Sequence, residues 1–256
     1  MAVPGNRPQD RPRNKGNHVN DIAASVHLLA ASDSGCREPV RAMKPQGESL
    51  RVRRILPGEP LGDVQRLRRE VYFLEQGQQR TRSKRISDGL DGSGTVIVVE
   101  SGAQAVGSLR MHDFGAPAVQ VEYGSLFQVD TFAHALPLQH LAVSTRFVLQ
   151  SEQRLKSVVD TLVEEAYRHS QDHHIRYGLM TCAPAFHGLF EYYGFREYLP
   201  PAILRSGDAV LRMALVIDDE AHLRACDSPL QHLVRNPAAG EAARNWLLRT
   251  FKLGDA

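Results

Sequence analysis

Residues 141–182 read LAVSTRFVLQSEQRLKSVVDTLVEEAYRHSQDHHIRYGLMTC, and the division of that stretch decides the fold. Leu141 to Leu149 is a run of β-forming residues bounded by polar Gln150-Ser151, the pattern of a strand. From Gln153 to Ser170 the apolar positions Leu155, Val158, Val159, Leu162, Val163, Ala166 and Tyr167 share one face at helical spacing, with Ser151 placed as a cap near the start. Ile175 to Cys182 is β-forming again. Strand, long amphipathic helix, strand: the order predicts a helix laid against a sheet.

Toward the C-terminus, Pro184 starts a short helix, Gly194 stops it, and Ala209 to Ile217 forms a last strand before a helical extension, residues 221–256, containing Trp246. Toward the N-terminus, Leu50 to Ile55 reads as a short strand. A helix follows from Pro60 to Leu74, on which Leu61, Val64, Leu67, Val71 and Leu74 recur at helical spacing, and Gly77 ends it. Gln78 to Gly94 is loop by composition. Thr95 to Glu100 and Ala105 to Met111 form a hairpin across Ser101–Gln104, Val119 to Tyr123 is a further strand, and Gly124 to Pro137 is loop or irregular helix. The expected class is α/β (α+β): a mixed, mostly antiparallel sheet with helices on both faces, spanning residues 49–220. Residues 1–48, rich in Pro, Arg, Asn, Gly and Ser, read as a disordered tail.

With 256 residues and a net charge of +2, the chain holds one well-buried domain and shows no overall drive toward nucleic acid. The basic tail residues Arg7, Arg11, Arg13 and Lys15 have no aromatic interleaving, so a nucleic-acid partner is not expected. No apolar run reaches the roughly 18 to 20 residues of a membrane span. A polar stretch precedes the apolar segment Ile22 to Ala31, unlike a secretory signal. Cys36, Cys182 and Cys226 lie far apart, which suits a reducing, cytoplasmic location. The eleven histidines form no H-E-x-x-H motif, and adjacent His173 and His174 read as loop, so no metal is expected.

The segment Leu189-Phe190-Glu191-Tyr192-Tyr193-Gly194-Phe195 resembles the late motif of the GNAT acyltransferase superfamily, in which an aromatic-rich helix ends at Gly-Phe and enters a strand. A second, ordered set is more specific: Arg68-x-x-Val71-Tyr72, Asp88-x-x-Asp91, Gly107-Ser108-Leu109-Arg110 and Ser144-Thr145-Arg146-Phe147. It resembles the successive signatures of acyl-homoserine-lactone (autoinducer) synthases and of long-chain N-acyl amino acid synthases, over about Leu50 to Leu199. Three positions depart from the pattern. Val143 stands where the family usually has a glutamate, Phe190 where many acetyl-transferring members have a thioester-facing tyrosine, and the stretch Gln153-Arg154-Leu155-Lys156 lacks the glycines of a pyrophosphate loop. The resemblance implies transfer of a medium or long acyl group from acyl-carrier protein or acyl-CoA to a small amine such as an amino acid. Val143 weighs against the S-adenosylmethionine-using autoinducer reaction; the missing glycines and Phe190 leave open a noncatalytic sensing or docking module.

Amide formation from a thioester needs a neutral amine, a path for its proton, and donors that polarise the carbonyl. The resemblance makes Phe147, Val148 and Leu149 donor-site candidates through their backbone N–H groups, although the same residues read equally as core strand. Arg154 and Lys156 would meet a phosphate at a helix N-terminus or decorate a solvated face. Tyr72, Tyr192 and Tyr193 are packing aromatics or tunnel lining. Arg68, Arg110 and Arg146 would gather around an acceptor carboxylate, with Tyr72 near them, or pair with Asp88, Asp91 and Glu122 to hold the loop on the sheet. Glu122 is the candidate proton relay. Ser144, outside any G-x-S-x-G elbow, is a weaker catalytic candidate.

Overall fold

The computed structural model describes residues 49–75, 86–150, 156–204 and 206–254. The expected tail (1–48), the helix stop at Gly77, the Ser151 cap and Arg154 fall outside these. Seven strands form one sheet: β1 (Leu50–Ile55), β2 (Thr95–Ser101), β3 (Gln104–Asp113), β4 (Leu141–Leu149), β5 (Tyr177–Cys182), β6 (Arg196–Ile203) and β7 (Ala209–Val216). Their order is β1-β2-β3-β4-β5-β7-β6, antiparallel throughout except for the β4–β5 pair. That parallel pair is the one joined by the long helix, as a parallel connection requires.

Helices cover both faces. On one side lies α1 (Gly62–Arg69), whose axis continues into π-helical turns over Glu70–Glu75. Beside it, α2 (Pro117–Phe127), α3 (Val129–Ala133) and α7 (Pro237–Phe251) bury Tyr123, Phe127, Phe132 and Leu247 against Leu141, Val143, Tyr177 and Tyr198 of the sheet. On the other side, α4 (Lys156–Asp172), α5 (His187–Tyr192) and α6 (Glu220–Ala225) pack on Leu109, Phe147, Met180 and Leu215. Helix α7 is seated closely: a Cβ on Gly240 would lie 1.9 Å from the Asp218 carbonyl oxygen, and the Tyr177 hydroxyl donates to the Ala243 carbonyl.

The structure corrects one element. Val119 to Tyr123 is helix, not strand. The alternation Val119-Gln120-Val121-Glu122-Tyr123 imitates a strand, yet Val121 is 74% exposed while Val119, Tyr123 and Phe127, four residues apart, are buried. Pro117 at the first helical position and this spacing outweigh the two-residue pattern. Glu122 therefore sits on α2, not on a strand. The reading along the chain also passed over β6, whose Pro200 and Pro201 speak against a strand; as an edge strand it tolerates the missing N–H groups.

Candidate active site

The site begins with an irregularity in β4. Ser108 faces Val148 and Arg110 faces Thr145, so Leu109 stands opposite two residues, Arg146 and Phe147. Arg146 is the extra one, with φ +57 in the left-handed region. The bulge reverses the parity of the strand: Ala142 lies on the α4 face before it, and Phe147 and Leu149 lie there after it. It also turns β4 away from its neighbour. The β4–β5 ladder holds only Leu141–Tyr177, Ala142–Gly178 and Val143–Leu179, and past Val143 the two strands do not pair. Backbone groups of residues 144–149 on that side are left to be satisfied by something other than a strand.

On the α1 face of this opening lies a charged cluster. Arg68 Nη1 donates to both carboxylate oxygens of Asp91 at 2.9 and 2.8 Å and to the Ile86 carbonyl at 3.0 Å. Arg110 Nη1 donates to Asp88 at 2.6 Å and Asp91 at 2.7 Å, and its Nε to Thr145 Oγ1 at 3.1 Å, across the strand pair. Arg146 Nη2 donates to the other oxygen of Asp88 at 2.6 Å, and Tyr72, from the π-helical turns, bonds the Arg146 side chain. Burial pushes both aspartates up, but Arg110 and Arg146 outweigh it at Asp88, and Arg68 and Arg110 at Asp91, so both carboxyls are held below the usual carboxylate range. Three guanidinium groups thus share these two carboxylates. Arg68 Nε and Nη2 and Arg110 Nη2 have no hydrogen-bond partner among the described residues, and neither has the buried Tyr123 hydroxyl, whose pKa burial raises to about 12.

Of the two roles open to these arginines, pairing with Asp88 and Asp91 is what the structure displays: the loop from Ile86 is tied to the sheet by Arg68 and Arg110. Both arginines are fully buried, while Arg146 retains 5% exposure at the bulge.

On the α4 face lies an apolar groove, about 590 Å³ with its solvent-open mouth included. Among its lining residues, Phe147 and Met180 lie past the last β4–β5 pair, beside the opening, whereas Gly178 lies within the paired part opposite Ala142; Phe190, Ala166 and Ser170 line it from the helices. Phe190 stands edge-on to Phe147 at 5.9 Å and to Phe195 at 5.7 Å. Ser144 and Arg146 also line the groove, so β4 borders both the groove and the charged cluster.

The other candidates disperse. Val148 points to the α1 face among Val64 and Val71, and Leu149 packs in the α4 core. Tyr193 is buried and donates to Asp160 at 2.7 Å, clamping α5 to α4. Lys156 is exposed, bonded to the same carboxylate at 2.8 Å and lying 5.1 Å from the centre of the Tyr192 ring. Glu122 is half-buried on α2, next in sequence to Tyr123. Sequence reading missed Thr145, Tyr123 and Gly178; only Gly178, a lone glycine inside a β run, carried a signal. Among the described residues no group of three or more His, Cys, Asp or Glu is arranged to hold a metal, and no helix is long and apolar enough to cross a membrane.

No protein-family model and no curated protein sequence matches the chain. Solved structures do. A CoA-dependent acyl-homoserine lactone synthase, BjaI, solved with SAM and isopentyl-CoA, aligns over 77% of this chain and 100% of its own at 15% identity, TM-score 0.55. TofI, solved in a ternary complex with an inhibitor and MTA, aligns over 73% and 98% at 17% identity, TM-score 0.52. FeeM, an N-acyl amino acid synthase from uncultured soil microbes, aligns over 72% and 99% at 15% identity, TM-score 0.51. The chain thus shares the fold of these proteins, the GNAT-like mixed sheet expected from its sequence.

Proposed function

We propose that this chain is an N-acyltransferase that moves a medium or long acyl group from an acyl-CoA or acyl-carrier-protein thioester to the amine of an amino acid or a similar small acceptor. The observation that carries the reading is the gap between β4 and β5 past Val143, where strand β4 borders an apolar groove on one face and an arginine-rich cluster on the other. The acyl chain lies in the groove and the thioester carbonyl in the gap, where backbone N–H groups of residues 144–149 orient the donor. The acceptor approaches from the α1 side. Its carboxylate meets Arg146, the cluster member at the bulge, while Arg68, Arg110, Asp88, Asp91 and Tyr72 hold Arg146 in place. Such buried ion pairs fix geometry more than they add stability.

The amine nitrogen attacks the thioester carbon; the C–N bond forms, the C–S bond breaks, the ammonium proton leaves through water toward Glu122, and the thiolate takes up a proton. Attack is direct. Cys182, the described cysteine nearest the groove residue Met180 in sequence, has its thiol pushed up to about 11 by burial and is thiolate-poor at neutral pH. Ser144, at the start of the gap, serves as a hydroxyl contact to the donor. Val143 is fully buried in the α2 core, so the carboxylate of the autoinducer pattern is replaced by packing, which favours a plain amino acid acceptor. Incubating the purified chain with acyl thioesters and pooled amino acids, with mass spectrometry for N-acyl products, tests the reading. Product with at least one donor and loss of product in Arg146→Ala support it; no product with any donor overturns it.

A further inference from the structure

Two glycines lie inside the strands that flank β4, on the groove side, and they are there for different reasons. A Cβ on Gly107 of β3 would come within 2.9 to 3.0 Å of Val158, Leu149 and Leu162, so a bare backbone is needed for α4 to pack. A Cβ on Gly178 of β5 would meet nothing nearer than Leu215 Cβ at 3.9 Å, and its φ is not in the left-handed region. Neither backbone conformation nor packing demands glycine there, yet a strand interior disfavours it. Gly178 lines the groove, and across from it α4 presents the small residues Ala166 and Ser170, one turn apart. The Ser170 hydroxyl donates back to the Ala166 carbonyl at 2.8 Å, and the Tyr167 hydroxyl is engaged by Asp218, accepting from its backbone N–H at 2.8 Å. Both polar groups are therefore satisfied away from the groove, and the end wall is hydrocarbon.

We infer that Gly178, with Ala166 and Ser170, forms the terminal pocket of the acyl site and sets the donor's length, and that the donor tail is an unsubstituted, medium-length hydrocarbon chain. The assignment rests on the acyltransferase reading above. Length follows from the helix: Val163 to Ser170, both lining the groove, span seven residues of α4, about 10 Å at about 1.5 Å each. An extended chain advances about 1.2 Å per bond, a third of the rise of an extended residue, so the groove accommodates about eight or nine carbons. A hydroxyl or keto group at the tail would find no free partner among Ser170 and Tyr167 and would bind less well.

The test uses the full chain and two variants, Gly178→Val and Ala166→Leu, with a ladder of straight-chain acyl thioesters from butanoyl to tetradecanoyl. Wild type should peak near octanoyl. Both variants should keep butanoyl transfer and lose at least about tenfold with octanoyl, moving the optimum shorter. A second readout needs no turnover: stabilisation against heat by the matching free fatty acids should rise with length, reach a limit near octanoate in wild type, and reach it at shorter length in the variants. Turnover with the same length profile in all three proteins, or an equal loss at every length, overturns the assignment while sparing the acyltransferase reading. Length-limited stabilisation without any product sinks the acyltransferase reading and keeps the pocket. If one variant fails to fold, the other decides.

Discussion

On the α1 side of β4, five charged side chains from α1, the 86–94 segment, β3 and β4 are buried and joined by short ion pairs. On the α4 side, the groove borders that same strand with apolar walls, and Arg146 is the one charged residue among the described residues that line it. The first region is over-determined: each aspartate serves two arginines, so no member can change alone. The second leaves room at Gly178, where a Cβ would meet nothing nearer than 3.9 Å. A rigid charged frame beside an adaptable cavity is the arrangement expected where one substrate must be oriented and the other merely accommodated.

The largest effect that would break this contrast comes from Asp88. Replacing it with Asn removes the carboxylate shared by Arg110 and Arg146 and takes one negative charge out of the buried cluster. Removing one partner of a buried pair costs about 3–5 kcal/mol. Urea unfolding should show the midpoint of Asp88→Asn falling by that equivalent at unchanged slope. A loss below about 1 kcal/mol would mean that water reaches the cluster and that the frame is not rigid.

Next in size is a pH effect. His112, also on the α1 side of β3, donates from Nε2 to the Leu90 carbonyl at 2.9 Å and has Ser93 Oγ at 3.3 Å from the same nitrogen; burial, helped by Arg110, lowers its pKa to about 4. Burial lowers His169 on α4 to about 4 as well, with His173 adding to it. A folded pKa below the unfolded value of about 6.5 means that, as pH falls from 6.5 to 4, the unfolded chain takes up protons the folded chain refuses, so stability falls. Each histidine accounts for about 3 kcal/mol across that window. Asp88 and Asp91 act lower down: their depressed values give stability that is complete above the unfolded carboxylate value of about 3.9 and is lost as pH drops toward the folded ones. Denaturant titrations from pH 7 to 3 should therefore show a decline beginning near 6.5 and steepening below 4; a flat curve down to 4 would place water beside His112.

Much of this could be read beforehand, and the failures have physical causes. Leu141–Leu149 matched its strand end to end because both faces of β4 are buried, leaving apolar Leu141–Val143 and Phe147–Leu149 on either side of Ser144-Thr145-Arg146, with clear polar ends. The helix of residues 117–127 was hidden by two periodicities sharing the same valines, and only burial chose between them. The arginine and aspartate positions were found through motif order, whereas their mutual pairing depends on three-dimensional closure of the 86–94 segment over β3, which spacing along the chain does not contain. The bulge at Arg146 left no trace in the sequence: arginine has no preference for a positive φ, and the conformation is imposed by the ladder with β3. The opening of the sheet is thus a tertiary property.

The smallest effect is also the one that separates the two regions most cleanly, because it uses the same substitution twice. Gly107→Ala forces a methyl to within 2.9 Å of Val158 Cγ1 and 3.0 Å of both Leu149 Cδ2 and Leu162 Cδ1, side-chain atoms locked between β3 and α4. Overpacking of this kind costs about 1–3 kcal/mol. Gly178→Ala places the same methyl in ordinary contact with Leu215, and relief of the glycine entropy penalty in a strand should raise stability by about 0.4–1 kcal/mol. Opposite signs, read as opposite shifts of the urea midpoint, are the expected outcome. If both substitutions destabilise, the space beside Gly178 is already committed to packing, and the cavity on the α4 face is narrower than its walls indicate.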